Sequence, residues 1–321
     1  MRNIHPLSPD NIPRAAKAIR DGDLVAFPTE TVYGLGADAT NDAAVAKIFD
    51  AKNRPTFNPL IIHVPDMDTA RVIVEISPAA ATILNNFWPG ALSAILPRAK
   101  GSPVSRLASA GLETLAIRIP AHDGARALLR AARTPVAAPS ANSSGRVSPT
   151  TAQHVAQDLG EKVAMILDGG PCAVGLESTI LDLTNDPPAI LRPGGVTLEA
   201  IEGVLGRAVA RGWMDAQLDV KDKDNAPSAP GMLRSHYAPA IPVRIDAPRA
   251  EPGEAMLGFG PTPGAVENLS LNGDLSEAAA RLFDCLHRLD DDRFQGIAVA
   301  PIPDYGLGRA INDRLRRAAA R

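Results

Sequence analysis

Short apolar runs and segments of helical period alternate through the first two hundred residues. Residues 24–27, 60–64, 94–96, 115–119, 136–138, 165–167 and 179–183 are brief stretches dominated by aliphatic side chains, and they read as buried strands. Between them, residues 42–50, 78–87, 124–132 and 151–159 space their apolar positions as amphipathic helices do; Ala43, Ala44, Ile48 and Phe49 mark the first. Interleaving of this kind predicts a sheet covered by helices. Residues 28–39, PTETVYGLGADA, read as a Pro- and Gly-punctuated loop leaving the first strand.

Beyond LRPGGVTLEAIEGVLG the pattern breaks. Residues 220–230 are charged, then Pro-rich, without apolar period, and read as a linker. Apolar runs resume in PVRIDA, EAMLGFG and GIAVAPIP, while Leu275, Ala279, Leu282, Phe283, Leu286 and Leu289 share one helical face. The expected organisation is a large domain over 1–205, a linker over 206–240 and a small α/β domain over 241–321.

Composition agrees with that division and narrows the function. A chain of 321 residues, 45% hydrophobic and 21% charged, suits two globular domains. Its 33 Lys and Arg against 36 Asp and Glu leave a net charge of −3, so no global positive field is available to hold a nucleic-acid backbone. Two cysteines, Cys172 and Cys285, have no second Cys or His at metal-ligand spacing and read as free thiols. No stretch approaches the roughly 18 uninterrupted apolar residues of a membrane helix, and the start lacks an apolar signal core, which makes the cytoplasm the expected location.

Four patches carry polar residues that a plain core does not need. Residues 29–36, TETVYGLG, follow a strand end, where α/β folds place ligands; a turn with a hydroxyl cap is the plainer reading. In residues 51–63, AKNRPTFNPLIIH, Lys52 and Arg54 stand two apart after a helix and suit an anion, or else simply cap the helix end. Residues 136–148, VAAPSANSSGRVS, spill from a strand into a turn rich in hydroxyls and amides, either a phosphate or ribose cradle or a solvated loop. Finally, GLESTI at 175–180 and LRPGG at 191–195 bring hydroxyls and Arg192 to further strand ends. There is no GxxxxGK[ST], no strand followed by GxGxxG, no HExxH and no GxSxG, so neither a P-loop nor a serine-hydrolase signature is present.

In order and spacing, PTETVYGLG, the Lys52-x-Arg54 pair with NPL and His63, Ser140-x-Asn142 and LRPG at Arg192 resemble the YrdC-like L-threonylcarbamoyladenylate synthases. APGMLRSHYAP resembles the linker motif of the family's long form, and GLGRAINDRLRRAA its C-terminal domain. The fold implied is a YrdC-like twisted mixed α/β sheet with helices, plus a small Rossmann-like α/β domain. The reaction implied joins L-threonine, bicarbonate and ATP into threonylcarbamoyl-AMP with release of pyrophosphate, the first step toward threonylcarbamoyladenosine in tRNA. The product would pass to a separate tRNA threonylcarbamoyltransferase, and magnesium would accompany the ATP. Carried over by motif, Thr31, His63, Arg118, Ala138 and Ser178 are the threonine set. Arg54, Asn58, Thr114, Ser140, Asn142, Ser148, Arg192 and Arg234 are the nucleotide set, with Lys52 and Arg54 the expected catalytic pair. The family usually carries a Lys-Tyr-like pair after PGM, where Leu233 and Arg234 stand here; Arg234 is expected to stack on the nucleotide or pair with a phosphate. The linker is expected to lie over the site mouth.

Two other readings compete. YrdC-like folds are also associated with a concave surface suited to double-stranded RNA, so a non-catalytic tRNA-binding module is the alternative, with little support from net charge. Carbamoyl transfer of the hydrogenase-maturation type needs additional acylphosphatase and zinc-finger modules, and no CxxC pair is present.

Overall fold

A computed structural model describes residues 3–214 and 236–320. The larger unit runs β1 (Ile4–Pro6), α1 (Asn11–Arg20), β2 (Val25–Phe27), β3 (Gly34–Asp38), α2 (Asp42–Lys52), β4 (Ile61–His63), α3 (Met67–Ile73), α4 (Pro78–Phe87), β5 (Leu92–Pro97), β6 (Thr114–Arg118), α5 (Asp123–Ala132), β7 (Val136–Ala137), α6 (Ala152–Leu159), β8 (Met165–Asp168), β9 (Thr179–Asp182), β10 (Ala189–Arg192) and α7 (Leu198–Leu205). The strands form one mixed sheet in the order β1-β8-β2-β3-β7-β4-β6-β5-β9-β10. Strand alternation then assigns its faces. Ala26, Ile62, Ala137, Ile117 and Leu181 point to the main core, under α2, α3, α4 and α6. Val25, Phe27, Val136 and Leu167 point the other way, beneath α1 and α5. Further along that second face lie Ile61, Ile95, Ala116 and Ile180.

The segment read as a loop after β2 is half strand. Gly34–Asp38 pairs antiparallel with β2, Val25 opposite Gly36 and Phe27 opposite Gly34. Gly36, which weakens a strand reading, is required by crowding rather than by turning. A Cβ on Gly36 would stand 2.8 Å from the Phe27 ring and 3.0 Å from Val136. Helix ends follow the local chemistry expected of them. Asn41 caps α2 by accepting from the Ala43 and Ala44 amides, and Asn53 ends it in the left-handed conformation, φ 50°.

The smaller unit runs β11 (Val243–Arg244), β12 (Glu254–Gly258), β13 (Glu267–Asn268), α8 (Leu275–Leu289), β14 (Gly296–Val299) and α9 (Gly308–Ala319), with an all-parallel sheet in the order β11-β14-β12-β13. The helical face foreseen from Leu275 to Leu289 is α8, and Leu282, Phe283 and Leu286 on it are fully buried. Its apolar cluster continues into the larger unit through Val32, Val147 and Leu176. Cys172 and Cys285 are free and buried, and burial pushes the thiols up to about 12 and about 11, leaving both inert at neutral pH. Among the described residues no helix is long and apolar enough to cross a membrane.

Candidate active site

The second face of the large sheet carries the cleft, and the alternation that places Ile61, Ala116 and Ile180 there places His63, Arg118 and Ser178 beside them. His63 and Arg118 are direct partners in the β4–β6 register, and Ala138 follows β7 on the same face. Arg118 is 4% exposed and fully engaged. Its Nη1 donates to Thr31 Oγ1 at 2.8 Å, its Nε to the Gly90 carbonyl at 3.0 Å, and its Nη2 pairs with Glu30 at 2.6 Å. Burial opposes ionisation of Glu30, but Arg118 outweighs it and holds the carboxyl below its usual value. Thr29 performs the plainer turn role, accepting from the Thr31 and Val32 amides, which leaves Thr31 free to face Arg118. Ser178 shares a hydrogen bond with Ser93 at 2.8 Å.

His63 accepts its environment as a neutral ring. Burial, reinforced by Arg118, lowers its pKa to about 3, so it acts as a hydrogen-bonding group rather than a cation. The linkage sign follows from this shift. The unfolded chain binds a proton near pH 6.5 that the folded chain refuses until about 3, so stability falls as pH drops through that window, by up to about 1.4 kcal/mol per pH unit for this ring. His154, His236 and His287 are shifted in the same direction, chiefly by burial. Thermal melts should therefore show a lower Tm at pH 5 than at pH 7.5, and a His63→Gln variant should lose part of that dependence.

The same cleft is also lined by Arg54 and Arg192, 8% and 4% exposed. Arg54 donates to the carbonyls of Asn58 (3.3 Å) and Pro59 (2.9 Å), and Arg192 clasps the Ser178 carbonyl at 2.9 and 3.2 Å. Burial and the proximity of Arg192 lower Arg54 to about 10, still protonated at neutral pH. Two buried guanidinium groups sharing a cleft are suited to a polyanion. The Arg192 loop reaches the site only because Gly194 lacks a side chain: a Cβ there would fall 2.3 Å from the Glu177 carbonyl and 2.4 Å from the Thr179 nitrogen. Asn58 is fully buried, with neither amide atom partnered among the described residues. It does not itself line the cleft.

Ser140 lines the cleft, whereas Lys52 lies behind it. The Lys52 ammonium is 1% exposed and donates to the carbonyls of Ser140, at 2.6 Å, and Asn142. Burial first, and Arg54 second, push its pKa well down. It therefore holds the 140–142 loop in place from beneath. Lys52→Met is expected to lower turnover about tenfold by leaving two buried carbonyls without a donor, with threonine affinity within about twofold, checked by paired kinetics and calorimetry. Asn142 donates to the Ser143 and Arg146 carbonyls, and its Oδ1 is buried without a partner among the described residues. Ser148 donates to Glu177. Thr114 begins β6, opposite Pro97, four residues from Arg118; it is half-buried and does not line the cleft. Arg234 lies outside the described residues, as does most of the linker, but His236 and Tyr237 at its end form part of the cleft wall.

Reading by motif passed over Glu30, Glu177, His236 and Tyr237. Tyr237 is 1% exposed, adopts a left-handed φ of 61°, and has a buried hydroxyl without a hydrogen-bond partner among the described residues. A bulky residue in that conformation is held there by its surroundings. The cavity enclosed by these walls is small, about 50 Å³.

The Sua5/YciO/YrdC family model, described as "Telomere recombination", matches residues 17–194, and the model described as "Threonylcarbamoyl-AMP synthase, C-terminal domain" matches residues 196–320. The chain belongs to the two-domain Sua5 family. Curated threonylcarbamoyl-AMP synthases of Bacillus subtilis and Pyrococcus abyssi are each 42% identical to it, over 96% and 95% of this chain and 92% and 93% of theirs. A crystal structure of P. abyssi Sua5 complexed with L-threonine superposes with a TM-score of 0.89 at 39% identity, covering 99% of this chain and 96% of that one. E. coli YciO, at 24% identity and a TM-score of 0.53, covers 60% of this chain and shares its fold alone. Sua5 membership agrees with the fold and family foreseen from the motifs.

Proposed function

We propose that this chain makes L-threonylcarbamoyl-AMP and pyrophosphate from L-threonine, bicarbonate and ATP. The observation carrying this reading is one cleft lined by two chemically distinct sets of residues. Arg118, Thr31 and neutral His63 suit a small hydroxy amino acid, and the Arg54–Arg192 pair suits a polyphosphate. The threonine-bound P. abyssi relative supports the first set.

In this scheme the threonine carboxylate takes up Arg118, displacing or joining Glu30, while Thr31 and His63 orient its polar groups. The threonine amine attacks the carbon of bicarbonate with loss of water, or the carbon of CO2 formed from it with loss of a proton; either route gives the carbamate. A carbamate oxygen then attacks the α-phosphorus of ATP. The bond from that phosphorus to the bridging oxygen breaks, and pyrophosphate leaves with the electron pair. Both reactants are anionic, so Arg54 and Arg192 lower their repulsion and offset charge as it develops. No cluster of three or more His, Cys, Asp or Glu residues among those described has metal-holding geometry, so magnesium is assigned to the triphosphate rather than to protein carboxylates. The product is a mixed anhydride suited to a downstream tRNA threonylcarbamoyltransferase, in keeping with a cytoplasmic role. A non-catalytic RNA-binding role finds no favouring observation in the cleft. Mass spectrometry of a reaction containing ¹³C-bicarbonate tests the proposal: labelled threonylcarbamoyl-AMP is expected, and AMP or ADP alone would refute it.

A further inference from the structure

Glu177 is a carboxylate in the wall of a cleft built for anions. It is 6% exposed, and alone it would repel any phosphate brought to Arg54 and Arg192. Its neutralising partner comes from the other unit. Arg314, on α9, is wholly buried and donates from Nε to Glu177 Oε2 at 2.7 Å across 137 residues of sequence; Ser148 donates to the other carboxylate oxygen. Behind it, Asp313 accepts from Arg314 Nη1 at 2.7 Å and from Arg317 at 3.1 Å, completing a buried ion network. The same guanidinium lies 5.0 Å from the centre of the Tyr237 ring, which also stacks with Phe283 of α8 at 5.7 Å. The two units also meet where Gly175 packs on α8: a Cβ there would fall 2.5 Å from the Ala279 carbonyl. The backbone just before Glu177 is thereby fixed.

We propose that Arg314 is a positioning residue for the synthase reaction, by which the C-terminal unit neutralises Glu177 and seats Tyr237 so that the cleft wall presents net positive charge to the nucleotide. This rests on the reaction assigned above and adds a task for the smaller unit. A buried pair broken from one side leaves an uncompensated charge, whereas removing both charges does not. The double substitution should therefore be milder than Arg314→Met alone.

The test is a double-mutant cycle in the full chain with Arg314→Met, Glu177→Gln and the pair together, reading the ATP dependence of pyrophosphate release and, separately, ATP and L-threonine binding by calorimetry. Arg314→Met is expected to lower kcat/KM for ATP about 100-fold, chiefly through KM, with threonine affinity within about threefold. Adding Glu177→Gln is expected to recover at least about tenfold, because a carboxamide carries no charge. Arg314→Lys, which keeps the charge, should fall between wild type and Arg314→Met. If Arg314→Met misfolds, the double variant, free of the unpaired carboxylate, and the lysine variant still report. Normal ATP kinetics in Arg314→Met, or a double variant no better than the single, would overturn the inference. Wild-type protein that neither binds nor turns over ATP would instead defeat the assigned reaction.

Discussion

Arg118→Met is expected to abolish measurable L-threonine binding, a loss of at least about 100-fold, while leaving a folded but less stable protein. Two effects combine. The variant loses a guanidinium able to grip a carboxylate through parallel hydrogen bonds, and it strands Glu30, whose only ion-pair partner within the described residues is Arg118. A carboxyl left in that buried place has its pKa raised by burial with no cation to offset it, and breaking such a pair from one side costs on the order of 3–5 kcal/mol. The contributions separate in the Arg118→Met, Glu30→Gln double variant, which should regain thermal stability without regaining threonine binding. Calorimetry with L-threonine and thermal melts decide the matter. Binding retained in either variant would remove Arg118 from the substrate site.

Arg54→Ala should act in a different parameter. Its guanidinium is held by the Asn58 and Pro59 carbonyls beside Arg192, so substitution removes one of two buried cations and also frees the 58–59 backbone. Groups that offset charge developing in a transition state are worth about 100- to 1,000-fold in kcat, and a loss of that size is expected here. Because Arg54 does not touch Thr31, His63 or Arg118 by any hydrogen bond, threonine affinity should stay within about twofold. A parallel loss of threonine binding would mean that Arg54 belongs to the threonine-binding set as well.

The fold was legible wherever burial is continuous. Strands such as Ile61–His63 and Met165–Asp168, and helices such as Pro78–Phe87, announce themselves through aliphatic runs and 3.6-residue spacing. Gly34–Asp38 did not, because local propensity disfavours glycine in a strand and only the Phe27 ring, packed across from Gly36, explains it. Asn11–Arg20 is likewise hard to read from sequence, because it is buried through the small Ala15 and Ala16 with Ile19 the only large apolar side chain among its buried residues.

At the site, motif order brought out Thr31, Arg54, His63, Arg118, Ala138, Ser140, Ser178 and Arg192, all of which line one cleft. Glu30 and Glu177 were invisible for a physical reason: a single acidic residue in a turn says nothing until its cation is known, and those cations lie 88 and 137 residues away. Lys52 stands two residues from Arg54 in sequence, yet only Arg54 lines the cleft. The ammonium turns beneath the 140–142 loop, a direction that spacing along the chain does not encode.

The most direct measurement is pyrophosphate release from ATP by the purified full chain, with and without L-threonine and bicarbonate, for wild type and Arg54→Ala. Release that requires both small molecules and falls at least about 100-fold in the variant is the expected result. Release indifferent to threonine and bicarbonate, or undiminished in Arg54→Ala, would contradict synthesis of threonylcarbamoyl-AMP in this cleft.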